Sequence, residues 1–359
     1  MQIKKKINRL KKLYIYFTSY VLFIIFFSTT FLQANTFNVS DIEISEPFKL
    51  DFNKNKVIDN GFRAAFNNLI SMITTSGDRN KVVNIPLNQI KGMIDSFTIS
   101  DETFVDEVYS ATLQVAFNKK NTLIFLEKKS VFPSIPIRNK VLLFPILIDV
   151  EIDNIFLFTN NIFYDEWNSN KKNYQLLDYL LPNEDIEDLN IIQKNYNFIE
   201  DYDFTELVRK YDIDDFIIAI IFKDKRELRV LSKMNFNNSL KIDNQKFNEI
   251  NLKNEYDFIS ILNKLKITYE DNWKQNNQIN TSIKLPLTIS VDSKKYGKIK
   301  NLQKVLNELD LVSEFYFLKF DSNNTYFRII YNGSPKTFLN DMKKKNINFI
   351  SINDMWIVE

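Results

Sequence analysis

Apolar residues recur along this chain with several spacings, and each spacing predicts a different element. Ile58, Phe62, Ala65, Phe66, Leu69, Ile70 and Ile73 follow the i, i+4, i+7, i+8 rhythm of one helix face, predicting a helix over 55–76 with Gly77 as its C-cap. Pro86 opens a second short helix near 87–96, and Lys119–Lys129 reads as a third. Tyr109–Phe117, "YSATLQVAF", alternates as a strand does. "VLLFPILIDV" (141–150) and "DFIIAIIF" (215–222) are nearly continuous apolar runs, the pattern of strands buried on both faces. Helical rhythms lie between them at 174–181, 186–194 and 204–211, and 226–236 reads as a partner strand. Phe258, Ile259, Leu262, Leu265, Tyr269 and Trp273 share one face of an amphipathic helix predicted over 248–274.

The last stretch reads as strand, helix, hairpin, helix, strand. "LPLTISV" is followed by a helix at 299–309, then "EFYFLKF" and "TYFRIIY" pair across Asp321-Ser322-Asn323-Asn324. Ser334 caps and Pro335 opens a helix that ends in Lys343, Lys344 and Lys345, and "INFISINDMWIV" closes the unit. The expected fold class is therefore mixed, α+β and α/β, with three small domains in series after an N-terminal signal. The expected bounds are 1–34 for the signal, 35–133 for an α+β domain, 134–238 for an α/β domain, 239–281 for a connecting helix and 282–359 for a βαββαβ domain of ferredoxin-like order.

The first residues change the picture of where the chain works. Lys4, Lys5, Lys6, Arg9, Lys11 and Lys12 precede an uncharged, mostly apolar run from Leu13 to Leu32, and Ala34 offers a small residue for cleavage. That order is a secretory signal peptide. The alternative is an uncleaved anchor, since about 20 apolar residues just span a bilayer. Either way the rest of the chain is expected outside the cytoplasm, periplasmic or held at the periplasmic side of the membrane. Removal of residues 1–34 takes six cations from a chain of net charge +2, leaving −4. A mildly acidic mature chain is a poor partner for nucleic acid, so none is expected, and contact with membrane is expected only through an uncleaved N-terminus.

Composition excludes whole classes of chemistry. The chain has 359 residues with no Cys and no His. Thiol nucleophiles, disulfides, Cys/His zinc sites and Ser-His-Asp machinery are all shut out. Its five glycines, at 61, 77, 92, 297 and 333, are too dispersed for a phosphate-cradling loop. No cofactor is expected. What remains for catalysis is carboxylates. "LLPNEDIEDLN" (180–190) places Glu184, Asp185, Glu187 and Asp188 within five residues. Asp185 has the position of an N-cap with Asp188 three residues on, and the acidic first turn suits the helix dipole. The alternative is a metal-dependent enzyme using Asp185, Asp188, Asp212, Asp214 or Asp215, which requires the acidic clusters to meet at the carboxyl ends of strands, and spacing alone does not show that they meet. A calcium loop is ruled out, because it needs a glycine and none lies between Gly92 and Gly297.

The N-terminal signal, three short stretches and a tryptophan resemble the bacterial exported proteins grouped as domain of unknown function 2066. "GFRAAFNNLISMITTSGDRNKV" (61–82) resembles that family's Ala-rich helix running into a Thr-Gly-Asp-Arg-like turn. "LLPNEDIEDLN" resembles its Pro-x-x-Asp-x-x-Asp segment, and "RKYDIDDFIIAII" its Tyr-Gly-Ala-Asp strand entry, with Asp212-Ile213 in place of Gly-Ala. Trp356 sits where the family tends to end on a Trp. The middle block also resembles the small α/β domain at the N-terminus of periplasmic proteins such as the Tol-system propeller protein, at the level of fold alone. The resemblance implies export and assigns no activity and no site residue. The expectation is a non-catalytic cell-envelope protein that binds envelope protein partners through sheet edges and clefts, with a membrane-anchored structural protein as a further alternative.

Overall fold

The computed structural model describes residues 36–169, 171–279, 283–352 and 355–359. The expected signal segment, 1–34, lies outside the described residues. No helix among the described residues is long and apolar enough to cross a membrane. Phe37–Glu359 cluster as one compact unit of mixed α+β structure, with three sheets and ten α-helices among the described residues.

The first sheet has the order β1-β3-β2, from β1 (Thr36–Pro47), β2 (Ile94–Val105) and β3 (Val108–Asn118). Helix α1 (Lys54–Ile73) covers one face, capped by the Asn53 side chain on Asn55 N and Lys56 N. Its buried residues repeat the predicted stripe. Gly61 is where α1 comes closest to the sheet. A Cβ there would stand 2.1 Å from Leu113 Cδ1 and 2.9 Å from Ile44 Cγ2. Gly77 is no C-cap. Thr74 ends α1, and Gly77 lies in a one-turn helix, α2 (Ser76–Arg79). The helix expected over 87–96 is α3 (Leu87–Lys91), which gives way to β2. Strand β1 had no clean alternation to betray it. Asp41, at φ 58°, offsets the buried pair Phe37 and Val39 from Ile42 and Ile44. Helix α4 (Lys119–Lys128) follows β3 directly, capped by Asn118.

The central sheet runs β5-β4-β7-β8-β9, with β6 beside β4. Its members are β4 (Asn139–Asp149), β5 (Asn154–Phe156), β6 (Leu177–Leu180), β7 (Phe216–Asp224), β8 (Glu227–Phe236) and β9 (Ser239–Phe247). β6 and β7 pair parallel to β4, while β7, β8 and β9 form an antiparallel meander. Both faces are covered. Val141, Leu143, Ile217 and Ala219 point into one core, with Phe163 of α5 (Ile162–Glu166) and the long helix α8 (Glu255–Asn276). Leu142, Phe144, Ile218 and Ile220 point into the other, with α6 (Ile186–Lys194) and α7 (Thr205–Arg209). This explains the continuous apolar runs. Two expectations fail here. Residues 174–181 hold a four-residue strand, and 239–247 form β9 before α8 begins at Asn254, its cap. Nor is α8 a linker, because it forms one wall of the central sheet's core.

The third sheet has the order β11-β12-β10-β14-β13. It comprises β10 (Leu285–Asp292), β11 (Val312–Phe320), β12 (Asn324–Tyr331), β13 (Phe349–Ile352) and β14 (Met355–Val358), with helices α9 (Tyr296–Glu308) and α10 (Pro335–Lys344) on one face. Ser334 Oγ accepts from Thr337 N, as its position predicts. The closing segment is two strands rather than one. β14 folds back on β13 and lies parallel to β10, so the sheet has five strands where the βαββαβ order expects four.

Candidate functional site

Of the five predicted carboxylates, Asp185, Asp188 and Asp215 have structural roles, and Asp212 and Asp214 are exposed. Asp185 caps α6, its Oδ1 accepting from Glu187 N at 2.7 Å, while its other oxygen pairs with Lys210. Asp188 is 1% exposed. Its Oδ1 accepts from Lys210 Nζ at 3.0 Å and its Oδ2 from the Tyr211 hydroxyl. The hydrogen bond from Lys210 holds the Asp185 carboxyl below its ordinary range, and the two carboxylates raise Lys210 in return. Burial, then Asp188, pushes the Tyr211 hydroxyl up. The ensemble locks the start of α6 to the end of α7.

Asp212, Asp214 and Asp215 lie at the amino end of β7, opposite the carboxyl end where a ligand site was expected. Asp212 is exposed at φ 53°, and Asp214 is exposed with its backbone oxygen accepting from Asn235 Nδ2. Asp215 is a fastening. Its Oδ2 accepts from Asn139 Nδ2 at 2.6 Å and its Oδ1 from Asn237 N at 2.8 Å, tying the starts of β4 and β7 to the β8–β9 turn. Among the described residues no group of three or more acidic side chains stands where it could hold a metal ion. In a further acidic run of Glu200, Asp201 and Asp203, Asp203 accepts from Thr205 N and Glu200 takes both arms of Arg229.

The sequence did not point to the ionic ladder on α8. Lys266, Glu270 and Lys274, four residues apart, are all buried on the face turned toward the protein. Glu270 Oε1 accepts from Leu176 N at 2.8 Å and Leu177 N at 2.9 Å. Lys274 Nζ donates to Ser71 O of α1 at 2.6 Å and stands 3.9 Å from Glu270 Oε2. Burial raises the Glu270 carboxyl and lowers the Lys274 ammonium, so desolvation outweighs their attraction in both. Burial, with repulsion from Lys172, also pushes Lys266 down to about 8. Beside the ladder, Asp271 accepts from Ser76 N and Ser76 Oγ, and Trp273 Nε1 donates to Ile137 O. Each contact ends on backbone or on a neighbouring layer, so the ladder holds the first layer to the central one. An i, i+4, i+8 run of charges normally marks a solvated face, which is why sequence reasoning passes over it.

The feature with surface chemistry is β11. It forms one edge of the third sheet, leaving one side of its backbone without a strand neighbour among the described residues. Tyr316, Phe317, Leu318 and Phe320 are all exposed, Phe317 by 56% and Phe320 by 83%. The pairing with β12 breaks register between Phe317 and Lys319, so Leu318 stands out as a bulge. As a result Tyr316 and Lys319 share the face away from the helices, while Phe317 and Phe320 share the helix side. Exposed edge strands of this length and polarity are what soluble proteins normally blunt with charge or proline. Here only Lys319 interrupts the apolar run.

No family model, no curated protein and no solved structure matches this chain. Its own geometry is what bears on function: carboxylates spent on caps and fastenings, a buried ladder spent on packing, and an apolar edge left open.

Proposed function

We propose that this chain is a non-catalytic, exported protein of the cell envelope that binds an extended segment of a partner protein along β11. The carrying observation is the run Tyr316-Phe317-Leu318 and Phe320 on a sheet edge with unpaired backbone. Backbone pairing supplies affinity in strand addition, and alternate side chains supply specificity, so apolar residues on both faces of an edge suit an apolar extended partner. In this reading the chain is three small domains in series, and β11 is the edge strand of the last. Export rests on the basic N-terminus, the apolar run and Ala34, and on the resemblance to the exported family of unknown function.

The test expresses the chain with its own N-terminus in a Gram-negative host, with a photo-crosslinking residue at Leu318 and a control at the exposed Tyr256 of α8. Mass spectrometry then reads the N-terminus and the adducts. A mature start at Asn35 and envelope proteins captured from position 318 alone support the reading. A retained Met1, or adducts equal at both positions, overturns it.

A further inference from the structure

A cavity of about 400 Å3 lies between the β7–β8 hairpin and the turn that leads into α8. Ile250 N donates to Arg226 O at 2.8 Å and closes the hairpin tip against that turn. Leu228, Ile250 and Leu252 give the cavity an apolar floor that is continuous with the core under α8.

The rim has the opposite character. Four cations line it, Lys223, Lys225, Arg226 and Lys253, against one carboxylate, Glu227. Three of the nearby carboxylates are already engaged, while exposed Asp224 enters no ion pair among the described residues. Asp149 pairs with Lys223 at 2.5 Å, Glu249 with Arg226 at 3.2 Å, and Glu227 with Lys246 at 2.7 Å. Lys225 and Lys253 enter no ion pair among the described residues. The cavity stands at the carboxyl end of β7, which runs parallel to β4, and this is the end at which α/β sheets collect ligands. An apolar floor with a few convergent charged groups is the general form of a small-molecule site.

We propose that this cavity binds a small organic acid, its carboxylate between Lys225 and Lys253 and its apolar stem on Leu228, Ile250 and Leu252. Two cations without partners favour an anion, and the floor favours one with a hydrocarbon stem over a bare inorganic ion. The assignment is independent of the β11 edge, which lies in another sheet.

Titration calorimetry on the full chain tests it with three probes: hexanoate, hexanamide and inorganic phosphate. Hexanoate is expected to bind saturably with a Kd of about 1 mM, in line with the affinity per atom that small ligands reach. Hexanamide lacks the charge and phosphate lacks the stem, so each is expected to bind at least about tenfold more weakly. The K225A/K253A variant, altered only at exposed positions, should keep its thermal midpoint and lose hexanoate affinity at least about tenfold. Hexanoate binding unchanged in that variant, phosphate binding as tightly as hexanoate, or no saturable binding of hexanoate below about 10 mM would each overturn the assignment.

Discussion

At the scale of single residues, Glu270 and Lys274 show what the sequence could not. A buried pair 3.9 Å apart gains too little attraction to offset the desolvation of both ions. Removing one partner strands the other, so Glu270→Leu and Lys274→Met alone should each cost about 3–5 kcal/mol in denaturant unfolding. The double variant should cost less than the sum of the two, though the stranded Leu176 and Leu177 N–H groups and Ser71 carbonyl keep it below the parent. An additive double variant would contradict the coupling. Gly61 makes a second residue-scale case. Alanine is the better helix former by about 1 kcal/mol, yet Gly61→Ala should lower stability by about 1–3 kcal/mol, because its Cβ would collide with buried Leu113 and Ile44. Lys266 gives a pH signature. Its folded value is pushed down to about 8 while the unfolded chain keeps the ordinary lysine value, so the unfolded state holds the extra proton above that pH. Stability should therefore rise between pH 8 and the ordinary lysine range, and Lys266→Met should flatten the rise, as read from thermal midpoints across that window. Asp185 was legible as a cap because capping is local chemistry. Asp188's burial under Tyr211 was not, because it depends on a helix 22 residues away.

At the scale of elements, periodicity succeeded where one element's burial was decided by its own sequence. α1, β4, β7, α6 and the β11–β12 hairpin all follow their patterns. It failed where a neighbour decided. The apolar spacing of 174–181 suits a helix, but Glu270 takes the backbone N–H groups of Leu176 and Leu177, and β4 pairs with the residues that follow. β9 hides because its apolar residues Leu240 and Ile242 face out and the rest before Phe247 is polar or charged, so no buried stripe marks it. β11 was legible as a strand, but its place at the edge follows only from the sheet order. Leu318 stands in a bulge and makes little use of the core. Leu318→Lys should change unfolding free energy by no more than about 0.5 kcal/mol while reducing self-association, checked by denaturation and sedimentation.

At the scale of the whole molecule, the joints between layers differ in kind. The first layer and the central sheet share buried and half-buried ties: Lys274 to Ser71 O, the half-buried Asp271 to Ser76, and Ser134 N to Ile73 O at 2.7 Å. The third layer meets the first through Leu311 and two partly exposed pairs, Lys119–Asp310 and Lys284–Glu127. Such pairs contribute at most about 1 kcal/mol each. Calorimetry should therefore resolve two components, one for the first two layers together and one for 285–359. Phe338→Ala empties the centre of the third core and should lower the smaller component by more than about 10 °C while the larger one stays in place. A single transition moving as one would show that the layers are energetically inseparable.

The ties between α1 and α8 also set an order of events during synthesis. The Ser76 groups that Asp271 accepts from and the Ser71 carbonyl that Lys274 serves lie 195 and 203 residues upstream of their partners. At about 5–20 residues per second, the end of α1 leaves the ribosome roughly 10–40 s before the helix that completes it. For that interval the nascent first layer carries an unfinished seam, and whatever guards the growing chain must cover it until α8 arrives.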